Sequence, residues 1–393
     1  MNKERIKDLI LDSREQLGKR RFVQRDIHLD YQFLVDTGKI AAIVGPRRSG
    51  KSVLLLQVQK ETKTPPEQCV WIDFSEIPWS DFGPEDWETL WRASLELGAG
   101  DHPLFLLDEI QECPDFEAGL KYLQNRRARI FVTGSNAEVF SEGLATTIRG
   151  KVLPYDLFPL SFVEFLRFKG VSYPENLSTR EKAERSTLMD EYLSWGGFPE
   201  VVLADREDLK RNLIDSYWDV MLFRDVIERH RLKNFALVEK ILRKILLSFT
   251  KEGSINRWYN DLKSQGFKTG KDSLYEYLGY FEKALFVHTI PNAAAGAGIR
   301  KVYLVDNGLY QKAKDRTDRG KLWENLCFVD LLRSGKRPRF WKTQEGEIDF
   351  VTDDELIQLT TELTSENRAR EEQPFKAALP FFPAHRTRIL ELP

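Results

Sequence analysis

Eight residues, Gly45 to Ser52, spell G-x-x-x-x-G-K-S as GPRRSGKS, a spacing suited to cradling a chain of phosphates. Gly45 and Gly50 let the backbone curl until its N–H groups face one point, Lys51 carries an ammonium to the β- and γ-phosphates, and the Ser52 hydroxyl is a ligand for magnesium. Pro46, Arg47, Arg48 and Ser49 fill the loop between the two glycines and share in holding the phosphates. A second group, Asp108 and Glu109, closes the apolar run PLFLLDE. Beside the loop, Asp108 would hold magnesium through water while Glu109 polarises the attacking water. A third group, Thr133, Ser135 and Asn136 in VTGSNA, offers polar side chains to hold that water or sense the γ-phosphate, the choice lying between Asn136 and Ser135. Arg149, in TTIRGK, has two readings. It either neutralises charge growing on the transferred phosphoryl group, in its own or an adjacent subunit, or pairs with surface carboxylates.

Such groups act only if separate elements deliver them to one edge. IAAIV ahead of the loop reads as a strand, and KSVLLLQVQ after it as the start of an amphipathic helix, whose unpaired N-terminal donors add to the anion site. CVWIDFSEI is a further strand that brings Asp73 to the same edge, PEDWETLWRASLEL and DFEAGLKYLQNR are helices, and ARIFVT is the strand before Ser135. Strand and helix alternate, and the strands are continuous apolar runs, which predicts an α/β parallel sheet over residues 37–168. Open parallel sheets take ligands at the C-terminal ends of their strands, where all three polar groups fall. Ahead of this core, residues 1–36 read as a helix or two. They include KRRFVQRD (Lys19 to Asp26), open to reading as a solvated basic face or a nucleic-acid patch.

The composition fits a protein of this kind and excludes others. With 393 residues, two or three domains are expected, and 41% hydrophobic with 31% charged residues is a globular balance without a membrane-spanning run. The N-terminus alternates charged and apolar residues and lacks the apolar stretch of a secretory signal, which points to the cytoplasm. Cys69, Cys113 and Cys327 fit neither a disulfide framework nor a zinc knuckle, and His28, His102, His230, His288 and His385 show no metal-ligand spacing. The net charge of −2 leaves nucleic-acid binding to local patches.

Downstream, residues 185–295 are mainly helical. FALVEKILRKILLSF, SINRWYNDLKSQG and TGKDSLYEYLGYFEKALF are three helices, the last two joined by a short glycine-containing turn, as in a helix-turn-helix or winged-helix unit. The third carries Lys268, Lys271 and Ser273 at its start and could serve as a recognition helix. Its Leu274, Tyr277, Leu278, Tyr280 and Phe281 equally suit a lid or an interdomain wedge. Residues 300–393 form an α+β region, in which Glu324 on a helix and Asp349 on an alternating strand could converge as carboxylate ligands.

These segments, in this order over residues 20–360, resemble the AAA-type P-loop ATPases of archaea and bacteria. In those proteins an ATPase core precedes a winged-helix-like region and a C-terminal domain related to restriction endonucleases. The resemblance rests on GPRRSGKS, FLLDEIQ, VTGSNA, PYDLFPLSFVEFL, YLSWGGFPEVV, the RDVIERH stretch around Arg224, and WKTQEGEIDFV. It implies ATP and magnesium as cofactors, with Lys51, Ser52, Asp108 and Glu109 in the roles given above. A metal-dependent nuclease of the C-terminal type would follow its strand aspartate with an acid-x-lysine strand. Here Gln358 and Thr360 stand at those positions, so a degenerate nuclease fold is expected. The chain ends soon after FFPAHRTRILELP, which leaves the last helices and strand of that fold missing or remodelled. Three functions follow: a magnesium-dependent ATPase that moves its helical and C-terminal domains on DNA or a protein partner, with a homo-oligomer among the assemblies; an ATP-regulated DNA-binding protein or nuclease; or a non-hydrolysing nucleotide switch.

Overall fold

The computed structural model describes residues 1–19, 21–136, 148, 150–174, 176–294, 300–313 and 318–392, and the chain divides into two compact units, Met1–Leu157 and Phe158–Pro393. The first runs α1 (Lys3–Lys19), α2 (Tyr31–Thr37), β1 (Ile40–Val44), α3 (Lys51–Glu61), β2 (Cys69–Asp73), α4 (Asp86–Glu96), β3 (Leu104–Asp108), α5 (Phe116–Asn125), β4 (Arg129–Gly134) and β5 (Val152–Asp156).

Its sheet has the order β2-β3-β4-β1-β5, and every pairing is parallel. This is the parallel core of a P-loop nucleotide-binding fold. Strand β4 lies between β1 and β3, so the ends of the three strands, at Val44, Asp108 and Gly134, share one edge. β1 and β3 are buried along their whole length, as strands covered on both faces must be. Helix α1 closes the β2 side of the sheet. The Arg14 guanidinium donates to the carbonyls of Cys69 (3.1 Å), at the start of β2, of Leu97 (3.1 Å), at the end of α4, and of Glu67 (2.6 Å) in the turn before β2.

Helix α3 departs from the amphipathic expectation. Leu54, Leu55, Leu56 and Val58 are all buried, because the chain between α1 and α2 returns over the helix. Leu29 and Leu34 share its core, with Phe22, Ile27 and Tyr31 packed at the margin.

The second unit runs α6 (Phe162–Phe168), α7 (Thr179–Trp195), α8 (Pro199–Leu203), α9 (Glu207–Val220), α10 (Phe235–Ser248), β6 (Glu252–Gly253), α11 (Ile255–Ser264), α12 (Lys271–Lys283), β7 (Val287–Pro291) and β8 (Arg300–Leu304). It continues with α13 (Arg319–Arg333), β9 (Arg339–Lys342), β10 (Glu347–Val351), β11 (Glu355–Thr360), α14 (Arg368–Ala378) and β12 (Arg386–Glu391). After α9 the helix widens into a π-helical stretch, Met221–Glu228. Strands β6, β8 and β7 form a small antiparallel sheet with β8 in the middle. The four C-terminal strands have the order β12-β11-β10-β9. At the end of the chain, where the last helices and strand of a nuclease fold are expected to be missing or remodelled, α14 crosses over from β11 and β12 pairs with β11 in parallel. One core, from Leu160 to Leu392, includes residues of nearly every element of this unit.

A glycine turn fixes one corner of that core. Gly196 has φ +74°, and a Cβ there would lie 1.8 Å from Asp306 Oδ1. Asp306 in turn accepts from the N–H of Gly197 (2.7 Å) and of Gly308 (2.8 Å). Burial raises this carboxyl to about 6, although the two N–H groups and Arg333 pull the other way. The folded state therefore holds the proton more tightly than the unfolded chain, and this group's contribution to stability rises as pH falls. Wild type is expected to lose stability relative to Asp306→Asn as pH rises from about 4 to about 7. Urea midpoints measure the difference, and one that stays flat over that range is the contrary result.

Among the described residues no helix is long and apolar enough to cross a membrane.

Candidate active site

The loop after β1 is held in shape from several sides. The Gly45 N–H donates to the Gly134 carbonyl (3.2 Å) and the Ser49 N–H to that of Pro46 (3.3 Å). No side chain fits at Gly45, where a Cβ would lie 2.2 Å from the Leu157 carbonyl oxygen. Gly50, at φ +96°, turns the chain into α3, and Arg48 is also left-handed at φ +67°. Beneath the loop lies Arg25, 4% exposed, whose Nη1 donates to the Ser49 carbonyl (2.6 Å). Its backbone is clasped by Gln57, which accepts from the Arg25 N–H (2.8 Å) and donates to its carbonyl (3.0 Å). Sequence reasoning gave Arg25 no role beyond a basic segment, and no local spacing marks it, since only the return of the chain over α3 brings it here.

Lys51 is 4% exposed. Its Nζ donates to the carbonyls of Gly45 (3.1 Å) and Pro46 (3.2 Å) and lies 3.4 Å from Glu109 Oε1. Glu109 sits at the end of β3 in the left-handed conformation (φ +46°). Its N–H donates to Thr133 Oγ1 (2.9 Å), and its Oε2 accepts from the Gln111 amide, which also reaches Ser135 Oγ at 3.3 Å. Burial alone would raise the Glu109 carboxyl. Lys51, Gln111, Arg47 and Ser135 outweigh it and hold the group down at about 2.

Asp108, fully buried, behaves in the opposite way. Oδ1 accepts from the Thr133 hydroxyl, and Oδ2 is buried without a hydrogen-bond partner among the described residues. Burial, with the negative charges of Asp73 and Glu109 adding to it, raises Asp108 to about 6 despite the hydroxyls of Ser52 and Thr133. An orphaned carboxylate oxygen beside a hydroxyl is a donor set suited to a hard divalent cation such as magnesium. The Gln111 carbonyl oxygen, Oε1, is a second buried acceptor without a partner at the same place.

The strand ends thus bring Lys51, Ser52, Asp108, Glu109, Thr133 and Ser135 together, and Asn136, 1% exposed, ends the same segment. Thr133 serves both acidic residues, and Ser135 joins Glu109 through Gln111. The 3-10 turn Ile110–Glu112 that carries Gln111 gave the sequence no signal beyond its closeness to the acid pair. Arg47 lies 3.8 Å from Glu112. Arg149 lies outside the described residues.

In the second unit Glu324, on α13, and Asp349, on β10, do converge, but on an ammonium. Lys301, from β8, lies 3.2 Å from Glu324, 2.8 Å from Glu347 and 3.9 Å from Asp349. Tyr303 donates to Glu324 (2.7 Å) and the Leu359 N–H to Asp349 (2.9 Å). Burial would lower the Lys301 ammonium, but the three carboxylates raise it above its usual value. Asp349 is pushed up, by burial first and Glu324 second, against the pull of Lys301. Gln358 Oε1 is buried without a hydrogen-bond partner among the described residues, and the Thr360 hydroxyl donates to the Glu362 carbonyl (2.8 Å). Among the described residues no group of three or more His, Cys, Asp or Glu is arranged to hold a metal ion.

The AAA domain family model matches residues 37–166, and a model described as "Domain of unknown function (DUF8612)" matches 186–319. The uncharacterized protein MJ1544 of Methanocaldococcus jannaschii is 31% identical over 386 residues, covering 95% of this chain and 85% of that protein. An uncharacterized protein of Haemophilus influenzae is 29% identical over 352 residues, with 86% and 84% covered. Among solved structures, the Walker-type ATPase PABY2304 of Pyrococcus abyssi aligns at a TM-score of 0.47 and 14% identity, covering 76% of this chain and 99% of that one.

Proposed function

The chain belongs to the AAA-type family of P-loop ATPases, and from that premise we propose a magnesium-dependent ATP hydrolase. It works in the cytoplasm and uses its cycle to move the helical and C-terminal layers of the second unit on a DNA or protein partner. The observation that carries this reading is the Lys51–Glu109 pair beside the orphaned Asp108 oxygen.

The pair gives the site an internal counter-charge. When ATP enters, its β- and γ-phosphates offer Lys51 a stronger anionic partner than one carboxylate, and the loop N–H groups take up the remaining phosphate oxygens. Glu109, released, stays ionised and can accept hydrogen bonding from a water molecule, polarising it toward the γ-phosphorus. Gln111 and Ser135 fix the direction in which that carboxylate points. Ser52 and Asp108 are the residues that would hold magnesium, which when bound screens the phosphate oxygens and steadies the leaving diphosphate. Asn136, or Ser135 beside it, would sense the γ-phosphate. Arg149 remains a candidate for the growing charge, with a neighbouring subunit as the other source of such an arginine. For the C-terminal layer, an ammonium between its carboxylates supports binding or packing over phosphodiester cleavage.

The test is steady-state ATP hydrolysis with magnesium, wild type beside Lys51→Ala, together with calorimetric ATP binding. The variant is expected to lose both binding and turnover by at least about 100-fold, the scale for deleting a preorganised charge at a reacting group. Equal hydrolysis by the two proteins would assign the activity to another site and overturn the proposal.

A further inference from the structure

The segment from α10 to β8 has the order helix, strand, helix, helix, strand, strand, with the last strand paired between the other two. Its third helix, α12, buries Leu274, Leu278 and Phe281, a stripe at i, i+4 and i+7 that leaves the opposite side open. Exposed along that side and its approaches are Lys268, Lys271, Asp272, Tyr275 and Glu276. We propose that this face binds duplex DNA, with α12 entering the major groove and cations from α11, α12 and the small sheet meeting the phosphates. The proposal takes up the partner that the ATPase cycle leaves open.

The cations form a connected surface. Lys263 and Lys271 flank the same ring, their Nζ atoms 5.7 and 5.8 Å from the centroid of Tyr259, so α11 and α12 present them side by side. Lys251 and Arg257, both exposed, line with Tyr275 a cavity of about 640 Å³ beside the start of α11. There Ser254 accepts from the Arg257 N–H (3.3 Å). Arg300, also exposed, opens β8 opposite Gly253. None of Lys251, Arg257, Lys263, Lys268, Lys271 and Arg300 is ion-paired among the described residues.

Three of the nearby acids are ion-paired elsewhere, while Asp272 and Glu276 keep their charge against the six cations. Glu252 pairs with Lys342 (2.8 Å), Glu347 with Lys301 (2.8 Å) and Asp261 with Lys244. Glu276 accepts from the Tyr280 hydroxyl, and Asp272 lies in the first turn of α12, where the helix dipole favours it. The surface is therefore positive where the whole chain, at −2, is not.

Groove geometry and composition select the partner. The major groove of B-form DNA is about 12 Å wide and admits a helix, whereas the corresponding groove of duplex RNA does not. Single strands are held by rows of stacked aromatic side chains, and protein interfaces centre on buried apolar anchors. Between Lys251 and Arg300, Tyr275 is the only exposed large hydrophobic among the described residues. That is too little for either.

The experiment is fluorescence anisotropy of the full chain, without nucleotide, on a labelled random-sequence duplex of about 30 base pairs, long enough for one groove face and its flanking phosphates. Five or six phosphate contacts predict a slope of log K against log salt of about −5, hence a loss of about 10³ between about 50 and 200 mM salt. Lys268→Glu/Lys271→Glu is expected to bind at least about tenfold more weakly at about 100 mM salt. Lys182→Glu, a reversal on α7, is expected to bind as wild type does. No saturable binding by wild type at about 50 mM salt, or equal affinity in the double variant, overturns the proposal. Displacement of the duplex by polyglutamate at equal charge also overturns it and assigns the face to an acidic protein. The assay contains no nucleotide, so a failure of the ATPase reading leaves its result unmoved.

Discussion

Glu109→Gln is expected to bind ATP at least as tightly as wild type while turning it over about 10²- to 10⁴-fold more slowly, the range for losing a positioned base or water-polarising group. The substitution keeps the shape of the side chain and removes its charge. That charge faces Lys51 at 3.4 Å and competes with the incoming phosphates for the same ammonium. Its removal frees Lys51 for the nucleotide, so affinity holds or rises as the rate falls. The Gln111 amide keeps an acceptor in the glutamine carbonyl oxygen, which argues against a collapsed turn as the cause of a rate loss. Single-turnover hydrolysis with calorimetric binding separates the two effects. A variant that hydrolyses ATP at the rate of an active wild type would leave Glu109 without its role, and binding without turnover in both proteins would favour the nucleotide-switch reading.

Lys301→Met is expected to destabilise the second unit by about 3–5 kcal/mol at neutral pH, the usual cost of removing one partner from a buried ion cluster. The methionine fills similar space, so packing is largely kept and the defect is electrostatic. Glu324, Glu347 and Asp349 would then share a buried site without a counter-charge, and each would bind a proton more tightly in the folded state. The sign follows from linkage: without the ammonium the carboxyls are raised, so the variant's deficit is greatest at alkaline pH, where all three are ionised, and shrinks as pH falls through their raised values, becoming least below about 4, where they are neutral in the folded and unfolded chains alike. Adding Glu324→Gln should restore part of the loss. Urea unfolding across that pH range tests the prediction, and equal midpoints for wild type and Lys301→Met at neutral pH would contradict it.

The two clusters differ in how far a reader of the sequence could see them. Lys51, Ser52, Asp108 and Glu109 lie at the ends of continuous apolar runs, and parallel strands necessarily deliver their ends to a common edge. Their meeting therefore follows from patterns a few residues long. Gln111 sits two residues beyond the acid pair, yet nothing in IQE says that its amide turns back to the carboxylate. Arg25 reaches the loop only because the chain before α2 folds over α3, which also explains why α3 is buried on more than the expected face. Glu324 and Asp349 were recognisable as converging acids, but Lys301, the residue they converge on, comes from a different sheet, and its spacing from them carries no local signal.

The end of the chain was hard to read for another reason. In α14, RAREEQPFKAA, only Glu371, Phe375 and Ala378 are buried and Pro374, a helix-disfavouring residue, lies inside the helix. In β12, RTRILE, no residue is fully buried. An edge strand and the helix that leads to it need little apolar surface, so the hydrophobic pattern that marks inner strands is absent there.

The ammonium of Lys301 also constrains how this sequence can change over time. A lineage that lost the lysine alone would inherit three carboxylates in a buried site, and one that lost the acids alone would inherit a stranded cation. Either single step carries the penalty described above, whereas a set of well-packed apolar residues in place of the whole cluster can be as stable as the charges. Positions 301, 324, 347 and 349 are therefore expected to be exchanged together across descendants, and a relative with an apolar residue at the first should show at least one acid missing among the others.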